Sequence, residues 1–168
     1  NTLAVAHVLS ARQIIQPYLW HTPLLPSTAL QRICGAQVYL KMECWQRTGS
    51  FKARGALNRL AHLHPEDRRR QFVTASAGNH GLGVAYACQV WRLPAAVIFV
   101  PETTPRTKVN RLQTFECQVR LAGPDYDTAH ALAEAYAQEH NALYISAYDD
   151  PIVIAGQGTV GLEIMEDL

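Results

Sequence analysis

From about residue 50 onward the chain alternates short β-prone runs with longer helical patterns, and this alternation admits few folds. A helix is expected from Ser50 to about Leu63, then strand 72–76, helix 79–91, strand 95–100, helix 105–114, strand 117–122, helix 127–140 and strand 143–146. Strands separated by helices lie side by side in parallel, with the helices on the faces of the sheet. The fold class expected is therefore α/β. Ahead of this region, Leu3 to Gln16 reads as an amphipathic helix, and Pro17, Pro23 and Pro26 mark an extended connection. Thr28 to Cys34 reads as a helix and Gln37 to Met42 as a strand.

Composition supports a globular core and excludes several partners. At 168 residues and 48% hydrophobic content, a chain can bury roughly 70% of its unfolded surface. The net charge of +1 gives no reason to expect nucleic acid or an acidic membrane as partner. The basic run Arg68-Arg69-Arg70 follows Pro65-Glu66-Asp67 and reads as a solvated connector. No apolar stretch approaches the length of about 18 residues that a membrane span requires, and the start lacks a signal-peptide pattern. Cys34, Cys44, Cys88 and Cys117 are scattered without CxxC spacing, a usage suited to a reducing cytosol, so a cytoplasmic location is expected.

Two segments carry chemistry. In Arg47-Thr48-Gly49-Ser50-Phe51-Lys52, the lysine stands beside an aromatic and ahead of Ala53, Gly55, Ala56 and Leu57. An ordinary lysine, with a pKa near about 10.4, is protonated and attacks carbonyls poorly. Desolvation, or nearby cations such as Arg47 and Arg54, would penalise the ammonium and free the amine. The second segment, Ser76-Ala77-Gly78-Asn79-His80-Gly81, joins the β-prone Phe72-Val73-Thr74-Ala75 to the apolar stretch Leu82 to Val90. It reads as strand, tight turn and helix start. A helix N-terminus offers free N–H donors to an anion, and glycine at 78 and 81 would let backbone approach a ligand.

These residues resemble the cofactor-lysine segment of threonine dehydratases, enzymes of the pyridoxal-phosphate (PLP) fold type II group. The resemblance rests on Lys41-Met42-Glu43-Cys44-Trp45-Gln46-Arg47-Thr48-Gly49-Ser50-Phe51-Lys52-Ala53-Arg54-Gly55-Ala56 and on Ser76 to His80. Val100-Pro101-Glu102-Thr103-Thr104-Pro105 through Lys108, and Asp149-Asp150-Pro151 through Thr159, extend it over nearly the whole chain. It implies that Lys52 holds PLP through its ε-amine and later acts as base at the substrate α-carbon. Phe51 would pack near the cofactor ring, and Asn79 would hydrogen-bond its 3-oxygen. Ser76, Ala77, Gly78 and His80, with Asn79, would form the loop receiving the substrate carboxylate. The reaction implied is β-elimination from a 2-amino-3-hydroxy acid, giving a 2-oxo acid and ammonia. The architecture implied is the tryptophan synthase β-like fold. A three-layer α/β/α small domain would span 51–150, residues 1–50 would begin a larger domain, and 151–168 would return into it.

Departures from the family pattern refine these expectations. Serine racemases of the group carry a second serine where this chain has Ala77, so two-base racemisation is disfavoured. His80 stands where the synthases of the group have threonine. Cys44, Trp45 and Glu116-Cys117-Gln118 read as packing variations. The glycine-rich phosphate loop and the residue facing the pyridine nitrogen are expected beyond Leu168, so the chain reads as roughly the first half of an enzyme, with a homo-oligomer expected of the full-length form. Alone it is expected to bind PLP weakly and not to turn over.

Rival readings have less support. Gly156-x-Gly158-x-x-Gly161 after Ile152-Val153-Ile154 fits a dinucleotide-binding pattern, but Pro151 favours a helix and turn there. Ser50 and Lys52 invite a Ser-Lys hydrolase without supplying an oxyanion hole. His62 and His64, or His130 and His140, lack partners at metal-site spacing, so no metal is expected. A non-catalytic PLP-fold domain acting as a binding module is the remaining alternative.

Overall fold

The computed structural model describes residues 3–168. The chain begins with α1 (Val5–Ile15), β1 (Leu24–Pro26), α2 (Thr28–Cys34) and β2 (Tyr39–Lys41). It continues through α3 (Lys52–Ala61), β3 (Phe72–Ala75), α4 (Asn79–Val90), β4 (Val97–Val100) and α5 (Arg106–Gln113). Then come β5 (Gln118–Leu121), α6 (Tyr126–Glu139), β6 (Leu143–Tyr144) and α7 (Pro151–Asp167). The alternation read from the sequence is thus present in the expected order.

β3 to β6 form one parallel sheet of order β5-β4-β3-β6, while β1 and β2 pair antiparallel in a separate ribbon with Leu25 opposite Leu40. β3 and β4 are buried along their whole length, as strands covered on both faces must be. Their side chains divide by parity. Phe72, Ile98 and Val100 pack with Leu57, Leu60, Leu82 and Leu112 of α3, α4 and α5. Val73, Ala75, Val97 and Phe99 point the other way, against Ala133 and Ala137 of α6. Each large apolar side chain so buried contributes about 1.5–3 kcal/mol. The result is the three-layer α/β/α arrangement.

α4 is buried almost all round, with Gly81, Leu82, Gly83, Val84 and Ala85 enclosed between the sheet and α3. Small residues permit that approach. A Cβ on Gly83 would stand 3.0 Å from the Lys52 carbonyl oxygen, and one on Gly81 would stand 2.9 Å from that of Ser76. Gly81 therefore serves close packing rather than exposure of backbone to a ligand. Gly78 is different, since nothing lies within 4 Å of where its Cβ would be.

The order of strands fixes where a site can form. From β3 the chain steps to β4 and β5 in one direction, with α4 and α5 on one face, then returns through α6 on the other face to place β6 on the far side of β3. The strand order therefore reverses between β3 and β6, and it is at the carboxyl ends of strands beside such a reversal that a crevice can form. β6 stops at Tyr144, shorter than the run 143–146 suggested. The Ile145 N–H still donates to the Val73 carbonyl, but its own carbonyl accepts from the Thr74 hydroxyl and the His80 ring.

α7 settles the reading of the glycines near the end. Residues 151–167 are one continuous helix, so Ile152-Val153-Ile154 is not a strand and the Gly156-x-Gly158-x-x-Gly161 pattern lies inside a helix. Asp150 caps it, accepting from the Ile152 and Val153 N–H groups, and Pro151 occupies the first turn where no N–H is needed. Gly156 lets α7 cross α3 closely, as its Cβ would stand 2.5 Å from the Arg54 carbonyl oxygen and 2.9 Å from the Gly55 Cα. No helix of the described residues is long and apolar enough to cross a membrane.

Candidate active site

Lys52 is the first residue of α3, and the close contact at Gly83 sets its backbone against α4 one helical turn from Asn79. Its side chain reaches into the crevice, where Nζ donates to the Ala147 carbonyl at 3.1 Å. The rings of Phe51 and Tyr148 each lie 5.3 Å from Nζ. Partial burial lowers the amine's pKa from the ordinary lysine value by desolvation. The cations expected to assist do not. Arg54 is turned away and paired with Glu43 and Glu163, and Arg47 lies over the Trp20 ring.

The turn between β3 and α4 forms the facing wall. The Ser76 hydroxyl accepts from the Gly78 N–H, and the first N–H of α4 to reach a carbonyl in its own turn is that of Leu82, bonded to Gly78. The donors of the opening turn are left for water or a ligand, as at any helix start. Ser76, Ala77 and Gly78 are half-buried and Asn79 is exposed at the first helical position.

His80 is the member of this segment whose side chain leaves the crevice. It is 3% exposed, and its Nε2 lies 3.1 Å from the Ile145 carbonyl. A carbonyl only accepts, so Nε2 carries the proton, and Nδ1 is buried without a partner among the described residues. Burial pushes the imidazole pKa down to about 4, against the pull of the Ile145 bond, and the nearby Lys52 charge lowers it further.

Two groups of residues escaped the reading of the sequence. The first is the turn after β6, where the Ser146 hydroxyl accepts from the Tyr148 and Asp149 N–H groups while Ala147 presents its carbonyl to Lys52. Backbone contributes the contact, so no residue type announces it. The second is a buried ionic cluster behind α3. Arg54 donates to Glu43, Glu163 and the Thr159 hydroxyl, and Lys41 joins Glu163, Asp167 and the Thr22 carbonyl. Burial opposes the Arg54 charge, but the hydrogen bonds and charges of both glutamates hold its pKa above the ordinary value. Charged residues inside an apolar helix were the available signal. Cys44 and Trp45, by contrast, are exposed and pack against little of the described chain. Among the described residues no group of three or more His, Cys, Asp or Glu side chains converges as a metal site would require.

A partly dry amine facing a helix N-terminus at a sheet's switch point can condense with an aldehyde beside an anion-binding turn. Known proteins share this arrangement of chain. L-threonine ammonia-lyase of Thermotoga maritima is 42% identical over 166 residues, 99% of this chain and 41% of that protein. The processed form of threonine deaminase isoform 2 from Solanum lycopersicum superposes with a TM-score of 0.87 at 36% identity, covering 98% of this chain and 44% of that one. A pyridoxal 5'-phosphate-dependent aspartate racemase gives 0.90 at 35% identity, with 98% and 51% covered. The chain thus spans about half the length of the proteins it matches or somewhat less. A family description, pyridoxal-phosphate dependent enzyme, matches residues 15–168, and with the lysine, the turn and the sheet order in place, the chain belongs to that family.

Proposed function

We propose that this chain is the N-terminal portion of a PLP-dependent ammonia-lyase that converts a 2-amino-3-hydroxy acid, such as L-threonine or L-serine, to a 2-oxo acid and ammonia. The observation that carries this reading is the partly dry Lys52 amine, held 3.1 Å from the Ala147 carbonyl in the crevice at the start of α4. Similarity to an L-threonine ammonia-lyase and a threonine deaminase supports it.

The residues present fit the cofactor. Nothing lies within 4 Å of where a Cβ on Gly78 would stand, so the backbone of the turn is open to a ligand there, and Phe51 offers aromatic surface next to the amine. In this reading Lys52 would hold PLP through its ε-amine, with Phe51 and Asn79 as the further residues that would bind it. When bound, PLP supplies an electron sink for negative charge at the substrate α-carbon. The N–H groups of the Ser76-Ala77-Gly78-Asn79-His80 turn orient the substrate carboxylate. Nζ of Lys52 then takes the α-proton, which it can do only when neutral, so its desolvation serves the chemistry. Ala77 carries no hydroxyl to act on the opposite face of the α-carbon, which separates this reading from a racemase.

In the whole enzyme, residues 51–150 form the smaller domain, and 1–50 with 151–168 contribute to the larger. A homo-oligomer in the cytosol, acting in amino acid metabolism, completes the proposal; the free cysteines Cys34, Cys44, Cys88 and Cys117 support a reducing compartment. Borohydride reduction of the full-length protein with PLP, followed by peptide mapping, tests the assignment. The label is expected on Lys52, and Lys52→Ala loses both the label and 2-oxo acid release from L-threonine or L-serine. A label elsewhere overturns the site. No label at all leaves a binding module as the better reading.

A further inference from the structure

The side chain of His80 makes contacts that carboxylate binding by backbone N–H groups does not require. Its Nε2 donates to the Ile145 carbonyl from the first turn of α4, and the Thr74 hydroxyl donates to the same oxygen at 2.9 Å from within β3. Both donors are buried. The next residues turn sharply, with the Ser146 hydroxyl gathering the N–H groups of Tyr148 and Asp149. Between them Ala147 directs its carbonyl at Lys52 Nζ, and the Tyr148 ring closes over the same nitrogen.

We propose that His80 is a positioning residue: through the Ile145 carbonyl it anchors the 145–149 turn, and the turn in turn sets the place and hydration of the Lys52 amine. The anchor works as a neutral donor. A charged imidazole would put a second cation near Lys52 within the interior, and burial keeps the ring uncharged well below neutral pH. The ionisable side chains facing Lys52 are then His80 from α4 and Tyr148 from the turn. Thr74 shares the acceptor but cannot replace the anchor, because it belongs to the sheet and leaves α4 untied to the turn.

The importance of the amine rests on the proposed function, but the test does not depend on bound PLP. In cofactor-free full-length protein, the pH midpoint of Lys52 acetylation by acetic anhydride, read by mass spectrometry, reports the amine's pKa. His80→Asn keeps a polar side chain too short to reach the Ile145 carbonyl. With the turn released and water admitted, the midpoint is expected to rise toward the ordinary lysine value by about half a pH unit or more. His80→Gln extends an amide donor to a similar reach and is expected to restore the wild-type midpoint. Hydrogen exchange at the Tyr148 and Asp149 amides is expected to quicken in His80→Asn and not in His80→Gln, which separates a released turn from a generally loosened fold. An unchanged midpoint in His80→Asn, or His80→Gln behaving like His80→Asn, overturns the proposal. Borohydride labelling of wild-type protein is read separately, so failure of Lys52 to take PLP leaves this result standing on its own.

Discussion

Lys52 and His80 show how one crevice treats two basic side chains differently. Lys52 keeps an accessible amine whose pKa is lowered by desolvation, whereas His80 is enclosed and held neutral down to about pH 4. For His80 the consequence for stability has a definite sign. Between its folded value of about 4 and its ordinary value of 6.5, the unfolded chain binds more protons. Stability is therefore fully present above pH 6.5 and falls as the pH drops toward 4, by about 3 kcal/mol in all from this group. Urea denaturation at pH 7 and pH 4.5 is expected to show this acid-side loss in the wild type and a smaller one in His80→Gln. Equal losses in the two proteins would show that His80 does not contribute. Lys52, His80 and the glycine-flanked turn were legible in the sequence because each is a residue type with its own chemistry in a suggestive order. The direction of the His80 side chain was not legible, since it depends on where β6 ends relative to α4.

At the scale of elements, glycine decides how closely the helices cross. Gly83 brings α4 onto the Lys52 backbone, and Gly156 brings α7 onto α3 at Arg54 and Gly55. A new Cβ at Gly156 would meet the Arg54 carbonyl oxygen and the Gly55 Cα, which are backbone, and the Asn58 Cβ, which is fixed to its own backbone, so none of the three can swing aside. Gly156→Ala is expected to destabilise by about 1–3 kcal/mol through overpacking, read as a lower urea midpoint. Gly161→Ala is the control, because its Cβ would meet nothing within 4 Å, and a helix interior prefers alanine to glycine. In a sequence pattern that fits a phosphate-binding loop, Gly156 therefore serves a helix crossing here. The glycine spacing is the same for both uses, and only the preceding element, an Asp-capped helix rather than a strand, distinguishes them.

Across the whole molecule, the Arg54 cluster ties together parts far apart in the chain: Glu43 in the turn after β2, Arg54 in α3, and Thr159 and Glu163 in α7. Removing one partner from such a buried set strands the opposite charges. Arg54→Leu is expected to cost about 3–5 kcal/mol, measured by denaturant unfolding, and adding Glu43→Gln and Glu163→Gln is expected to recover part of it. If Arg54→Leu costs less than about 1 kcal/mol, as for an exposed pair, the cluster is peripheral to stability. The sequence by itself determined the order of helices and strands, the parallel sheet and the chemically distinctive residues, because hydrophobic period and residue type are local properties. Only the tertiary structure decided that β6 lies on the far side of β3, that a bare carbonyl of Ala147 meets the Lys52 amine, and that Arg54 turns from that amine toward two glutamates. Each of these depends on which distant segments the packing of the core brings together, and backbone groups and ion-pair partners leave no local mark of that choice.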